Sequence, residues 1–231
     1  MIEKRTRLSG AVVLAASLVA VGCGGPEAAA SAASDVDGSV PSAGGDAVDQ
    51  PRSDTLEIAT FAGGCFWCVE EAFEKLDGVT EVVSGYTGGE VEDPSYEQVS
   101  SGRTGHYEAA QVRYDPAVVS YDRLLEVFWR NVDPTDDGGQ FCDRGPQYRT
   151  AIFVHDEAQR EAAERSKQRL QEGDRIDEEI VTPILAASEF WPAEEHHQDY
   201  YREHRVQYRF YKASCGRQRT LNDLWGDEAG G

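Results

Sequence analysis

Gly63-Gly64-Cys65-Phe66-Trp67-Cys68-Val69-Glu70-Glu71 is the stretch from which the rest of the chain can be read. Two cysteines flank two aromatics, directly after a glycine pair and directly before a run of helical character. The segment ahead of it, 55–62, alternates in residue type and predicts a strand. The glycines break that strand, and 68–76 predicts a helix ending at Gly78. Cys65 therefore stands at a strand-to-helix turn. Free backbone N–H groups and the positive end of the helix dipole favour an anion there, which predicts a thiol pKa lowered from about 8.5 toward neutrality. The glycines permit left-handed backbone and close approach of a substrate, and Phe66 and Trp67 set apolar surface beside the sulfur.

Outward from this turn, 79–86 predicts a strand running into Thr87-Gly88-Gly89, and 107–114 a third strand closed by Asp115-Pro116. Ser120 can cap a helix whose apolar positions Leu124, Leu125, Phe128 and Trp129 recur at helical spacing. A strand follows at 149–154, then a long polar helix at 156–172 with a solvated acidic face, stopped by Gly173. The last strand is expected at 180–185 and the last helix at 193–203. Strands and helices interleave irregularly, without repeats. The expected fold is α+β: a single-domain two-layer sandwich with a mixed sheet, flanking helices and long loops, occupying 54–231.

The chain has 231 residues, 40% of them hydrophobic, enough for a core that needs no metal or disulfide framework. A formal charge of −20 excludes nucleic acid as a partner, favours solubility, and as a whole opposes anionic lipid. Lys4, Arg5 and Arg7 precede a short apolar run that ends in Ala20-Val21-Gly22-Cys23. This pattern resembles the lipobox of bacterial lipoproteins. It implies a leader at 1–22 and a lipid on Cys23. Residues 23–53, rich in Gly, Ala, Ser, Pro and Asp, read as a flexible tether. The chain is thus expected to be a monomer in the bacterial cell envelope, facing the periplasm as a membrane-anchored lipoprotein.

Four cysteines remain after Cys23, which is sparse for a staple framework and directs attention to redox chemistry. No Cys or His spacing forms a tetrahedral site, so no metal is expected. The motif GGCFWCVE resembles the active-site motif of the A-type peptide-methionine sulfoxide reductases, in a variant with a second cysteine. SGYTGG (84–89), PSYEQV (94–99), SGRTGHYEAAQVRYDP (101–116), QYRTAIF (147–153) and HQDYY (197–201) follow in the family's order.

The resemblance implies reduction of the S epimer of methionine sulfoxide, free or in proteins, through a cysteine sulfenic acid. It implies no prosthetic group; a thioredoxin-type protein or another dithiol is the electron donor. By the family's motif Cys65 is the nucleophile, Glu108 the acid, Tyr96 and Tyr148 the phenols at the sulfoxide oxygen, and Phe66, Trp67 and Asp143 the substrate pocket. His197 and Gln198 read as support for that pocket. The resolving thiol does not transfer from the family. Cys215 stands narrowly ahead of Cys68, with Cys142 third. Two other readings compete: a thioredoxin-like thiol-disulfide oxidoreductase using Cys65 and Cys68, and a non-enzymatic lipid-anchored binding domain.

Overall fold

The computed structural model describes residues 55–230; the expected leader, Cys23 and the tether lie outside the described residues. In chain order the elements are β1 (Glu57–Gly63), α1 (Phe66–Phe73), β2 (Val79–Thr87), α2 (Tyr96–Ser100), β3 (Tyr107–Tyr114) and α3 (Tyr121–Arg130). A small hairpin of β4 (Gly139–Gln140) and β5 (Asp143–Arg144) leads to β6 (Thr150–Val154), α4 (Glu157–Glu172), β7 (Ile184–Ala186) and β8 (Phe190–Pro192). Three helices close the chain: α5 (Tyr200–Glu203), α6 (Arg205–Ser214) and α7 (Arg217–Trp225).

Six strands form one sheet in the order β7-β6-β1-β3-β2-β8. β6 and β7 run parallel and every other pair is antiparallel, so the sheet is mixed, as the irregular interleaving predicts. Both edge strands are three residues long, one preceded by Pro183 and the other ending in Pro192. The main core lies between the sheet and α1, α3, α4 and α7. At its centre the Phe61 ring from β1 stacks on Phe73 of α1 at 4.8 Å and on Phe128 of α3 at 5.3 Å. Leu124, Leu125, Phe128 and Trp129 are all buried, and the Ser120 hydroxyl accepts the Arg123 N–H as the cap. On α4, Ala162, Ala163 and Ser166 pack inward while the charged face stays in water.

Local signals placed most elements, and three expectations need correction. α1 begins at Phe66 rather than at Cys68, with Cys65 as its cap residue. The strand expected at 180–185 is confined to β7; Ile180 is buried as a loop residue instead. The helix expected at 193–203 does not form. Its place is taken by a single turn at Glu195–His197 and short α5, interrupted where Gln198 turns to the Ser84 backbone and Asp199 adopts a left-handed φ of 52°. In this segment the Gln198 side chain acts as a strand would: its oxygen accepts the Ser84 N–H at 2.9 Å and its amide donates to the carbonyls of Ser84 and Ala193. α6 and α7 carry the tail, for which no element was expected.

Candidate active site

β1 ends at Gly63, and Gly64 turns the chain with a φ of 81°. A Cβ on Gly64 would lie 2.6 Å from the Cβ of Gln140, so both backbone sign and space demand glycine here. The turn delivers Cys65 to the N-terminus of α1. The Phe66 N–H, one of the unpaired donors of that first turn, is satisfied from across the sheet: it donates to Glu108 Oε2 at 3.1 Å. Glu108 stands on central strand β3 opposite Tyr86 and is only 2% exposed. Burial raises its pKa to about 8; the Phe66 amide opposes this, while the charges of Asp143 and Cys68 add to it. The carboxyl is therefore protonated at neutral pH.

Cys65, Phe66, Trp67 and Glu108 share one cleft of about 70 Å³ with Tyr96, Tyr148, Asp143 and Tyr211. The structure thus brings together every residue expected at the catalytic and substrate positions. Tyr96 opens α2, where Ser95 and Gln98 form a capping box, and its N–H donates to Glu194 Oε1 at 2.8 Å. The same carboxylate accepts the Tyr86 hydroxyl at 3.0 Å. Tyr148 ends a tight turn, Pro146–Tyr148, that follows left-handed Gly145. The hydroxyls of Tyr96 and Tyr148 interact, and burial pushes both pKa values up, so both remain proton donors. His197, buried and packed 4.5 Å from the Tyr96 ring and 5.2 Å from Phe66, supports these walls. His106 is structural: its Nδ1 accepts the Gly89 N–H, and its Nε2 bonds the Val91 carbonyl at 2.7 Å.

The thiols differ from expectation. Cys65 and Cys68 are both free and buried, within hydrogen-bonding reach of each other. Burial raises Cys65 well above an ordinary thiol, and Cys68 adds to that rise. Cys68 is the one lowered, chiefly by the hydrogen bond from Cys65, with Arg217, Tyr208 and Lys212 assisting against its burial. The expected lowering at Cys65 is thus corrected: burial and the neighbouring Cys68 push the Cys65 thiol up, and Cys68 is the more readily ionised of the two. Cys215 and Cys142 are bonded to one another with Cα atoms 4.9 Å apart, so in this state Cys215 is not available to Cys65.

Tyr208, Tyr211 and Glu71 are site residues that motif reading missed. Tyr211 from α6 donates to Asp143 Oδ2, hydrogen-bonds Cys65 and meets the Trp67 ring edge-on at 6.0 Å. Tyr208, one turn earlier, bonds Glu71 at 2.6 Å and reaches the Cys68 sulfur at 3.5 Å. Burial pushes Glu71 up, but Lys212, Lys75 and Tyr208 overcome it and hold the carboxylate down at about 2. The only sequence signal for the two tyrosines is helical spacing: Tyr208 and Tyr211 share one face of α6, which Cys215 caps. A thioredoxin-like role for the Cys65–Cys68 pair is disfavoured, because Cys65 lines an aromatic cleft that also carries a protonated acid and Cys68 is buried outside that lining.

Comparison with known proteins agrees with this geometry. Residues 57–229 match the family model described as peptide methionine sulfoxide reductase. The chain is 52% identical over 170 residues to the peptide methionine sulfoxide reductase MsrA of Bacillus licheniformis, covering 74% of this chain and 94% of that protein. It is 51% identical over 174 residues to the MsrA of Bacillus subtilis, covering 75% and 98%. Among solved structures, it is similar to reduced Mxr1 of Saccharomyces cerevisiae (TM-score 0.61, 33% identity, 64% of this chain and 85% of that one). It is also similar to methionine sulfoxide reductase A of Corynebacterium diphtheriae (TM-score 0.58, 32% identity, 68% and 78%). A mixed sheet with flanking helices, a thiol at a glycine-defined helix start, and a match over nearly the whole described chain lead to one conclusion: this chain belongs to the peptide methionine sulfoxide reductase family.

Proposed function

We propose that the chain reduces the S epimer of methionine sulfoxide, free or in proteins, to methionine. The observation that carries this reading is the buried, protonated Glu108 fixed on the Phe66 amide, in the same cleft as the Cys65 thiol and two phenols. The apolar faces of Phe66 and Trp67 hold the substrate methyl group, and Tyr96 and Tyr148 donate to the sulfoxide oxygen. Cys65 passes its proton to Cys68 and attacks sulfur while Glu108 protonates the oxygen. Collapse moves the hydroxyl to Cys65 as a sulfenic acid and releases the thioether. The negative charge that began on the thiol pair ends on Glu108, which takes a proton from water. Reduction of the S epimer with the R epimer untouched, followed with dithiothreitol and chiral separation of the remaining sulfoxide, tests the assignment. Equal loss of both epimers defeats it.

Cys68 is the resolving thiol in this reading, supported by its contact with Cys65 and by the engagement of Cys215 with Cys142. Cys68 attacks the sulfenic sulfur, forming the Cys65–Cys68 disulfide and expelling water. A thioredoxin-type dithiol returns both sulfurs to thiols. Processing and lipidation at Cys23, and hence a place on the envelope membrane, belong to the same proposal. The leader pattern supports them, and mass spectrometry of the mature N-terminus decides them.

A further inference from the structure

The outward face of α6 is unlike the rest of the surface. Val206 and Phe210, 79% and 76% exposed, are the most exposed large apolar side chains among the described residues, and they sit one helical turn apart. Ala213, also exposed, continues their stripe toward the end of the helix. Their helix turns its other face, with Tyr208 and Tyr211, toward the cleft, so the stripe has no task in folding α6 onto the domain. Arg205 and Arg209 flank the stripe, and neither forms an ion pair among the described residues.

Charge is as uneven as hydropathy. Arg202, Arg205, Arg209, Lys212, Arg217 and Arg219 fall in one segment where Glu203 is the single acid, on a chain whose formal charge is −20. Arg202 and Lys212 are paired with Glu74, Asp199 and Glu71 and Arg217 is buried, which leaves Arg205, Arg209 and Arg219 as the outward cations. An apolar stripe edged by arginines on a surface helix is the pattern of an interfacial helix, which sinks apolar side chains among headgroups while cations meet lipid phosphates. The acidic remainder of the domain repels such a surface only over the Debye length, about 8 Å at physiological salt, so a local basic face governs contact. We infer that the α6 face centred on Val206, Arg209 and Phe210 docks the domain on an anionic phospholipid surface. A lipid on Cys23, as the leader pattern at 1–22 implies, would deliver the domain to such a surface, but the docking face is argued from α6 alone. The chain's own acidic tether would satisfy the arginines yet leave Val206 and Phe210 without a large apolar partner, since the tether holds only three valines.

The test uses the chain from Gly24 onward, so that neither the basic, apolar leader nor a lipid on Cys23 contributes. Sedimentation with vesicles of phosphatidylglycerol and phosphatidylethanolamine is compared with vesicles of phosphatidylcholine alone. Binding to the anionic vesicles, weakened by raised salt and at least about tenfold weaker in both Val206→Glu/Phe210→Glu and Arg205→Glu/Arg209→Glu, is the expected result. Both double variants should reduce methionine sulfoxide with dithiothreitol at the parent rate, which shows that they fold. No binding of the parent chain, or binding that the variants retain, overturns the inference. So does binding that appears only after residues 24–53 are deleted, which would assign the face to the tether. Mass spectrometry of the natural N-terminus reports separately on lipidation, so failure of either claim is recognised without the other.

Discussion

Replacing Glu108 by Gln preserves the carbonyl oxygen that accepts the Phe66 N–H, and it removes only the transferable proton. General acid assistance is worth roughly 10²–10⁴-fold, so single-turnover reduction should slow by that factor with little change in substrate binding. The pH dependence gives a sharper check. With a pKa of about 8, the wild-type acid is about nine-tenths protonated at pH 7 and about one-tenth at pH 9, so its rate should fall roughly tenfold across that interval. The Gln variant should lack this fall. Stability moves in the same direction. The folded chain binds this proton more tightly than the unfolded chain, so the stability it confers is complete below about pH 4.5 and is lost as pH rises through about 8. A rise from 4.5 to about 8, at about 1.4 kcal/mol per pH unit, corresponds to on the order of 5 kcal/mol. Glu108→Gln should therefore unfold at higher denaturant than wild type at pH 9, and by a smaller margin at pH 6. The assays are rapid-quench single turnover with enzyme in excess and urea melts at the two pH values. An unchanged single-turnover rate, or an alkaline fall that persists in the Gln variant, would remove Glu108 as the proton donor.

Cys65→Ser should abolish turnover, since a hydroxyl offers almost no anion near neutral pH; as much as a tenth of the wild-type rate with dithiothreitol would point to another nucleophile. Cys68→Ser should still reduce close to one equivalent of sulfoxide and stop with a trappable sulfenic acid on Cys65. A Cys65–Cys215 disulfide found instead by peptide mapping would reinstate the tail thiol as resolver. Cys142→Ser and Cys215→Ser each open a cross-link between positions 73 residues apart, a loss of up to about 4 kcal/mol on chain entropy. Both should lower the melting temperature to that of the dithiothreitol-treated wild type, and an unshifted melt in all three would deny the cross-link a part in stability.

Much of this fold was legible because its signals are short-range. The Gly63-Gly64 break and the Ser120 cap each act within a few residues, and each stands where the sequence places it. Errors arose where a long-range contact decides local structure. Nothing in 193–203 announces that Gln198 will pair with the backbone of Ser84, which lies in another element and halts the helix. The site divided in the same way. Cys65, Phe66, Trp67, Tyr96, Glu108, Asp143 and Tyr148 converge as the motifs imply. The state of the thiols did not follow, because burial and the Cys65–Cys68 contact outweigh the helix terminus at Cys65. Tyr208 and Tyr211 escaped notice because their importance comes from α6 folding back over α1.

The two edges of the sheet have a consequence of their own. An exposed strand edge is a template on which a neighbouring chain can add a strand, and aggregation begins there. Here each edge offers three residues, and each carries or adjoins a proline, which has no N–H to give such a ladder. A repair enzyme works when oxidised, partly unfolded chains with free strands of their own are most abundant. Short, proline-marked edges leave such a chain little backbone on this domain to pair with.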